Sequence, residues 1–366
     1  MAMFQKYPFY VRATVILFGL ILCAYALANL RDILVPFSFA LFLAILLNPL
    51  VNLLEKWKIP KVPAIALALL ISIVVIAGVW YFLATQMMHF TTQLPAFQQK
   101  ASELMARLQQ NLAKKVPIEK QNQYLAEAQA GIKPLLARTL GSVFGTLTTV
   151  FLLPLYAFLL LYYKTLMLNF LYEIFAEENE GEVRVVLRQV KGAIQSYTYG
   201  LLIEGLIVAT MNTIALLILG VPYAVLLGVL GALLNVLPFI GGILAALLPI
   251  IVATITKEGL HTQVAVAISY IVIQFIDNHF LIPYIVSSKV KINALISILV
   301  VLLGAAVWGL SGMFLAIPFI GILKIIFDRI PELKPWGRLL GSEVDVRRSG
   351  VRKPRVVKKT AMKVEK

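Results

Sequence analysis

Glu204 and Asp277 each stand inside an apolar run, residues 199–219 and 264–285, and Asp277 is followed at once by Asn278 and His279. Ionisable side chains are expensive in hydrocarbon, so within membrane helices they face the bundle interior or a hydrated path and mark ion or proton routes. A carboxyl group that alternates between charged and neutral forms can carry a proton. The structural alternative is that Glu204 is hydrated near the headgroups, while Asp277, Asn278 and His279 cap or kink an ending helix.

A second group of candidates lies where apolar segments are broken. Residues 222–256 and 293–330 are each too long for one ordinary crossing, and each is interrupted near its middle, by NVLPFIGG (235–242) and by WGLSG (308–312). Proline withholds a backbone donor and glycine relaxes helical order. Non-helical backbone at membrane depth is tolerated only where it is buried in protein or lines a watery cavity, so paired breaks point to a transport site. Asn235, Pro238, Gly241, Gly242, Gly309, Ser311 and Gly312 therefore join Glu204, Asp277 and Asn278 as candidate substrate contacts. Half-helix N-termini suit anions or hydroxyl-rich solutes and exposed carbonyls suit cations. Asn235 and Asn293 can equally cap freed backbone groups.

The elements that must place these residues are membrane helices. The chain of 366 residues is 60% hydrophobic and 14% charged, with a mean hydropathy of +0.88, a composition outside soluble globular classes. Apolar runs at 13–30, 33–54, 62–84, 140–163, 199–219 and 264–285 each match the roughly 20 residues that cross a bilayer as a helix. Transmembrane strands would alternate polar and apolar residues over about ten positions, and no such pattern occurs. The expected fold is an all-α integral membrane protein with about 6–8 transmembrane helices, two Gly/Pro-broken segments and a small helical extracytoplasmic insert.

Ala26-Leu27-Ala28 looks like a cleavage site, but the apolar stretch before it is long and another span follows, so an uncleaved first helix is expected. With Cys23 the single cysteine, neither an intrachain disulfide nor a cysteine metal cluster can form. The net charge of +15 is concentrated after Asp328, where Arg347, Arg348, Arg352, Lys353, Arg355, Lys358, Lys359, Lys363 and Lys366 crowd the tail. The positive-inside rule places that tail, and the N-terminus with Lys6 and Arg12, in the cytoplasm. Lacking interleaved aromatics, the tail suits anionic membrane lipids; no nucleic-acid partner is expected.

The sequence divides into residues 1–85, the first three crossings; 86–138, the insert; 139–172, a fourth crossing; 173–198, a cytoplasmic interfacial helix; 199–330, a transport core; and 331–366, the basic cytoplasmic tail. The insert carries an apolar stripe at Leu94, Phe97, Ala101, Leu104, Leu108 and Leu112, at helical spacing. The interfacial helix sets Val183, Val186, Leu187, Val190 and Ile194 beside Arg184, Arg188 and Lys191. The halves of the first broken segment, 222–235 and 242–256, are each roughly 21–22 Å long, short of the ~30 Å hydrocarbon core. Two arrangements satisfy this. If both broken segments are re-entrant hairpins, Lys289 and Lys291 lie inside, residues 199–256 and 264–330 form an inverted repeat, and Glu204 and Asp277 sit at similar depth as possible neighbours. If both cross, eight crossings result and those lysines lie outside.

Asn48, Asn52, Asn212 and Gln274 are uncharged polar residues of the kind that join helices to each other, and are otherwise candidates for pore lining only. There is no G-x-x-x-x-G-K-[ST] phosphate loop, and His89, His261 and His279 form no H-E-x-x-H pair. No cofactor, metal or enzymatic activity is expected.

From Tyr197 onward the chain resembles the autoinducer-2 exporter (AI-2E) family of bacterial membrane proteins. The resemblance lies in Gly220-Val221-Pro222-Tyr223, Leu227-Gly228, LPFIGG (237–242), IPYIVSSKV (282–290) and GAAVWGLSGMFLAIP (304–318). The first half matches only in its pattern of spans and insert. The resemblance implies a multi-pass inner-membrane secondary transporter, homo-oligomeric and in one form homopentameric, that exports a small polar solute or signal molecule by elevator-like movement. In other branches it implies sodium or lithium exchanged for protons. The chain departs from the commoner pattern at Tyr199-Gly200-Leu201, at Ser288 and at Asn293-Ala294, so the resemblance carries no particular substrate. A non-transporting membrane scaffold is the competing class.

Overall fold

The computed structural model describes residues 8–92, 99–100, 103, 147–174, 176–237, 241–257, 259–286 and 292–341. Most of the expected insert, Pro238, the segment with Ser288, Lys289 and Lys291, and the basic tail beyond residue 341 lie outside these. The helices are α1 (Phe9–Asn29), α2 (Arg31–Lys56), α3 (Lys61–Thr92), α4 (Leu147–Tyr162), α5 (Lys164–Ile174), α6 (Ala176–Ile218), α7 (Ala224–Asn235), α8 (Gly241–Thr256), α9 (His261–Ile276), α10 (Ala294–Arg329) and α11 (Lys334–Leu340). A π-helical segment, Asp277–Val286, continues α9. No strand occurs among the described residues, only an isolated bridge between Ile292 and Gly341. This is an all-α integral membrane protein. Six helices are long and apolar enough to cross a membrane, or seven if α4 and α5, bent by 61° about Tyr163, form one span.

The first core joins α2, α3 and α4. Ala40, Ala44, Leu47, Val51 and Leu54 recur at alternating four- and three-residue spacing along α2 and pack on Ala64, Ile65 and Ala68 of α3 and Ala157 of α4. Small residues on all three helices let the backbones approach closely, which is how apolar helices gain contact energy in lipid. Pro49 sits inside α2 and cannot donate to the carbonyl four residues back, that of Ile45. Gln195 supplies the missing donor, its Nε2 reaching Ile45 O at 2.9 Å, and Tyr199 Oη donates to Leu46 O at 3.1 Å. A proline break in one helix is thus the anchor point for another. At the same level Lys164 Nζ donates to Asn48 Oδ1 at 2.9 Å, and Lys61 Nζ to Tyr162 O at 2.7 Å, holding the ends of the α4–α5 bend against α2 and α3.

Helix α6 runs for 43 residues without interruption, so the amphipathic stretch expected to lie along the interface and the following span form one rod. Its C-terminal half builds a second core with α7, α8 and α9, around Leu216, Leu227, Ala245, Val266 and Tyr270.

Both broken segments fold back on themselves. At the tip between α7 and α8, a Cβ on Gly241 would stand 2.8 Å from Asn235 Cα, and Gly231 lies opposite Ala245. Within α10, Gly309 has φ 61° and ψ −140°, and the backbones of Gly304 and Gly312 touch, a Cβ on Gly304 falling 2.8 Å from the Gly312 carbonyl carbon. In a straight helix residues eight apart are separated by about 12 Å. The 36 residues of α10 therefore form two antiparallel arms rather than one straight rod. The charge rule fits hairpins slightly better than eight crossings, and parity does not separate the two; backbone contact at the glycines gives the hairpin form.

The backbone angles at Gly309 belong to a region that only glycine occupies without strain. Gly309→Ala is expected to lower stability by about 1–3 kcal/mol, read as a fall in the thermal unfolding midpoint in detergent. Gly19→Ala, at a position with open space around it, is expected to produce no such fall.

Candidate functional site: an acid pair at the first hairpin

Three helices turn polar residues toward one interior point. Glu204, Val208 and Asn212 repeat at four-residue spacing on α6, as do Gly231 and Asn235 on α7. Tyr270, Gln274 and Asp277 follow at four and three along α9 into its π-helical continuation. Such spacings align side chains on one face of a helix.

Asn235 is the last residue of α7, at the hairpin tip. Its Nδ2 donates to Glu204 Oε1 at 3.1 Å and to Asp277 Oδ2 at 2.8 Å. A primary amide nitrogen carries two hydrogens, so one group serves both carboxylates, and with both ionised it is the nitrogen rather than the oxygen that can face them. Glu204 is 3% exposed and Asp277 1%. Neither acid has a basic partner among the described residues, where Arg31 pairs with Asp32 and Lys324 with Asp328. Burying charge without a counter-charge is costly. The electrostatics of the site therefore turn on whether a proton or another cation accompanies the pair.

The sequence around each acid accounts for its position. Pro283 brings no N–H to the ladder and its ring crowds the preceding turn, so an ordinary α-helix cannot run through it undisturbed. The wider π turn begins at Asp277, and such turns concentrate at functional sites. On the facing helix, a Cβ on Gly200 would lie 2.8 Å from Val286 Cα, so the backbones of α6 and the π segment touch one turn before Glu204. The α-helix gives way to the π turn at Asp277, a change of helical form that the kink alternative also describes, while the Asp277 carboxylate itself accepts from Asn235 of another helix rather than from a helix end. Only Asp277 of the acid–amide–imidazole triplet turns inward. His279 stacks on Phe275 at 4.2 Å on an exposed face, with its Nδ1 2.9 Å from Phe275 O, and Asn278 is exposed.

Of the other sequence candidates, Gly241 and Gly242 belong to this site. Gly241 presses on the backbone of Leu234 and Asn235, and a Cβ on Gly242 would stand 2.7 Å from Gln274 Cδ, so the Gln274 amide lies across the start of α8. Gln274 Nε2 makes long contacts to Asp277 Oδ2 at 3.4 Å and Asn278 Oδ1 at 3.5 Å. Pro238 lies outside the described residues. Gly309, Ser311 and Gly312 belong to the second hairpin, and none of the acid pair's hydrogen bonds involves them. That hairpin packs on α2 and α6 through Leu315 and Trp308. Trp308 Nε1 also donates to Leu27 O in the last turn of α1 at 2.8 Å, where helical carbonyls lack an intrahelical donor.

A cavity of about 10 Å³ adjoins the pair, lined by Asn212, Gly231, Asn235, Tyr270, Gln274 and Asp277 among others. Sequence reasoning took Asn212 and Gln274 as helix-joining residues and at most pore-lining candidates, and passed over Tyr270 and Gly231. The four- and three-residue spacing from Tyr270 through Gln274 to Asp277 was the available signal.

The AI-2E family transporter profile matches residues 14–332. The chain belongs to the AI-2E transporter family. The AI-2 transport protein TqsA of Escherichia coli is 26% identical over 316 residues, covering 85% of this chain and 89% of the relative. A putative transport protein of Haemophilus influenzae is 28% identical over 328 residues, covering 86% and 91%. The putative transport protein YueF of Bacillus subtilis is 26% identical over 313 residues, covering 81% and 84%. Family membership makes this a membrane transporter.

If the Asn235 amide is what makes this burial tolerable, removing it should leave both acids short of a donor. Asn235→Leu is expected to destabilise the protein by about 1–3 kcal/mol. Adding Glu204→Gln and Asp277→Asn should recover part of that loss, with a coupling of more than about 0.5 kcal/mol in a mutant cycle of thermal or denaturant unfolding.

Proposed function

We propose that this protein is a secondary exporter of a small polar solute across the bacterial inner membrane, with transport coupled to protons at Glu204 and Asp277. The observation that carries the reading is the Asn235 amide shared between two buried carboxylates at the tip of a folded-back segment. A proton bound by the pair offsets buried negative charge, and the hairpin that holds Asn235 is the element whose movement would expose it. The relative named for AI-2 transport supports a small polar signal molecule as the solute. Elevator-like movement would take the α7–α8 hairpin against the α2–α3–α4 core, since these two groups belong to separate cores. A homo-oligomer, with a pentamer as the family's suggestion, and cytoplasmic termini complete the reading.

One observation favours a second reading. Two buried carboxylates without a basic partner also suit sodium or lithium exchanged for protons, because either ion could balance the pair. A non-transporting scaffold, by contrast, gains nothing from burying them.

The test is proton flux in proteoliposomes under solute, sodium or lithium gradients. Gradient-driven flux is expected in the unsubstituted protein and is expected to be lost in Asp277→Asn and in Glu204→Gln. Flux driven by sodium or lithium and not by solute would select the exchanger. Flux unaffected by either substitution would remove the acid pair from the mechanism.

A further inference from the structure

Around the cavity beside the acid pair, three polar atoms have no protein partner among the described residues: Asn212 Oδ1, Tyr270 Oη and Asp277 Oδ1. Their residues are 2%, 5% and 1% exposed, respectively. Buried polar atoms are rarely left unsatisfied, and where several orphans share a small polar cavity the usual remedy is an ordered water. A volume of about 10 Å³ is close to what one water requires. The three atoms also match one water in kind. Tyr270 has a hydrogen to give, Asn212 Oδ1, its amide nitrogen directed to Gly228 O at 3.5 Å, can only accept, and Asp277 Oδ1 accepts while its carboxyl is ionised.

We propose that a single water occupies this cavity, accepting from Tyr270 and donating to Asn212 Oδ1 and Asp277 Oδ1, and that Tyr270 acts through it as a positioning residue for the proton on the acid pair. A metal cation fits less well. It would use all three atoms as acceptors, leave the Tyr270 hydrogen unpaired, and find three free oxygens where hard cations gather roughly six or more.

Gly231 gives the same cavity a second signature. A Cβ there would stand 3.1 Å from Asn212 Nδ2, 3.5 Å from Tyr270 Oη and 3.6 Å from Ala245 Cβ, so a methyl group would enter the space the water needs. The ionisable groups around Asp277 are Glu204, which shares the Asn235 amide and also meets the Asp277 carboxyl directly, and Tyr270 on its own helix; Tyr197 lies on the Glu204 side. No Lys, Arg or His side chain is bonded to either carboxylate among the described residues. The water donates to Asp277 and so favours its charged form. Losing that bond should move the pH of half-maximal proton flux upward.

The role in proton handling rests on the transport reading above; the presence of the water does not. Infrared difference spectroscopy on the full-length protein in lipid, with ordinary water exchanged for heavy-oxygen water, reports the water directly through an isotope-sensitive O–H stretching band. That band is expected in the unsubstituted protein and in Tyr284→Phe, at an exposed tyrosine. It is expected to be lost in Tyr270→Phe, which keeps the ring, and in Gly231→Ala, which removes no polar group. Should Tyr270→Phe fail to fold, Gly231→Ala decides alone. A band that survives in Gly231→Ala, or one that disappears when sodium or lithium replaces potassium at constant pH, would overturn the water. Loss of the band in both variants with an unshifted pH profile of proton flux would overturn the positioning role of Tyr270. Absence of proton flux in the unsubstituted protein would overturn the coupled-transport reading, while the band still reports the water.

Discussion

Two carboxylates that share one amide donor in the protein interior fix three separate pieces of chain at a single point. Asn235 can reach both Glu204 and Asp277 only if α7 stops at the hairpin tip, α6 passes close beside it, and α9 delivers Asp277 to the opposite side. Each condition has its own cause in sequence. The glycines at 241 and 242 let the start of α8 press against the end of α7 and under Gln274. Gly200 lets α6 touch the π segment. Pro283 lies in that segment, where a helix already denied one donor widens. The acid pair is thus tolerated because the fold around it is built to bring the amide to it, and the geometry is lost if any of the three pieces shifts.

The same economy appears wherever the helical ladder is broken. Lipid offers no hydrogen bonds, so a carbonyl freed by proline must find a donor inside the protein. Ile45 finds Gln195, and in doing so ties α2, part of the first core, to α6, which carries Glu204. Leu27 O, in the last turn of α1, finds Trp308 at the tip of the second hairpin. Polar contacts between helices are few, and many sit at a break or a helix end. The breaks are therefore more than interruptions: they set which helix meets which, while small apolar residues such as Ala40, Ala44, Ala64 and Ala157 set how closely.

Much of the fold was legible because membrane helices announce themselves in composition. Apolar runs became helices, and the two glycine-rich breaks became tips. What charge and length could not decide was whether the broken segments cross or fold back, since both arrangements leave the basic tail on the same side. That choice lives in tertiary contact, between Gly304 and Gly312 and between Gly241 and Asn235. The nearness of Glu204 and Asp277 was legible once hairpins were assumed. The part played by Asn235 was not, because an asparagine at a helix end reads as a cap and only the partners show otherwise. Tyr270 and Gly231 were passed over for a similar reason: in an apolar helix an aromatic reads as packing and a glycine as flexibility. The amphipathic stretch that leads directly into Tyr199 runs on as the continuous α6, since an amphipathic stretch followed by an apolar one is also what a helix emerging from a membrane looks like.

Asn235 belongs to the hairpin, whereas Glu204 belongs to the long helix tied to the first core through Gln195. On the transport reading this division has a thermodynamic consequence. Withdrawing the hairpin tip takes a donor from both carboxylates at once, which penalises the charged forms more than the protonated ones. A hydrogen bond to a charged group contributes about 1.5–3 kcal/mol, or roughly a ten- to hundredfold bias in an equilibrium constant. Hairpin position and proton occupancy must then influence each other to the same degree, because coupling between two equilibria is reciprocal. A hairpin that moves more easily when the pair is protonated would be a pair that binds protons more tightly when the hairpin has moved. Coupling of this kind needs no long-range pathway: the amide itself is the link, and its two hydrogen bonds set the size of the effect.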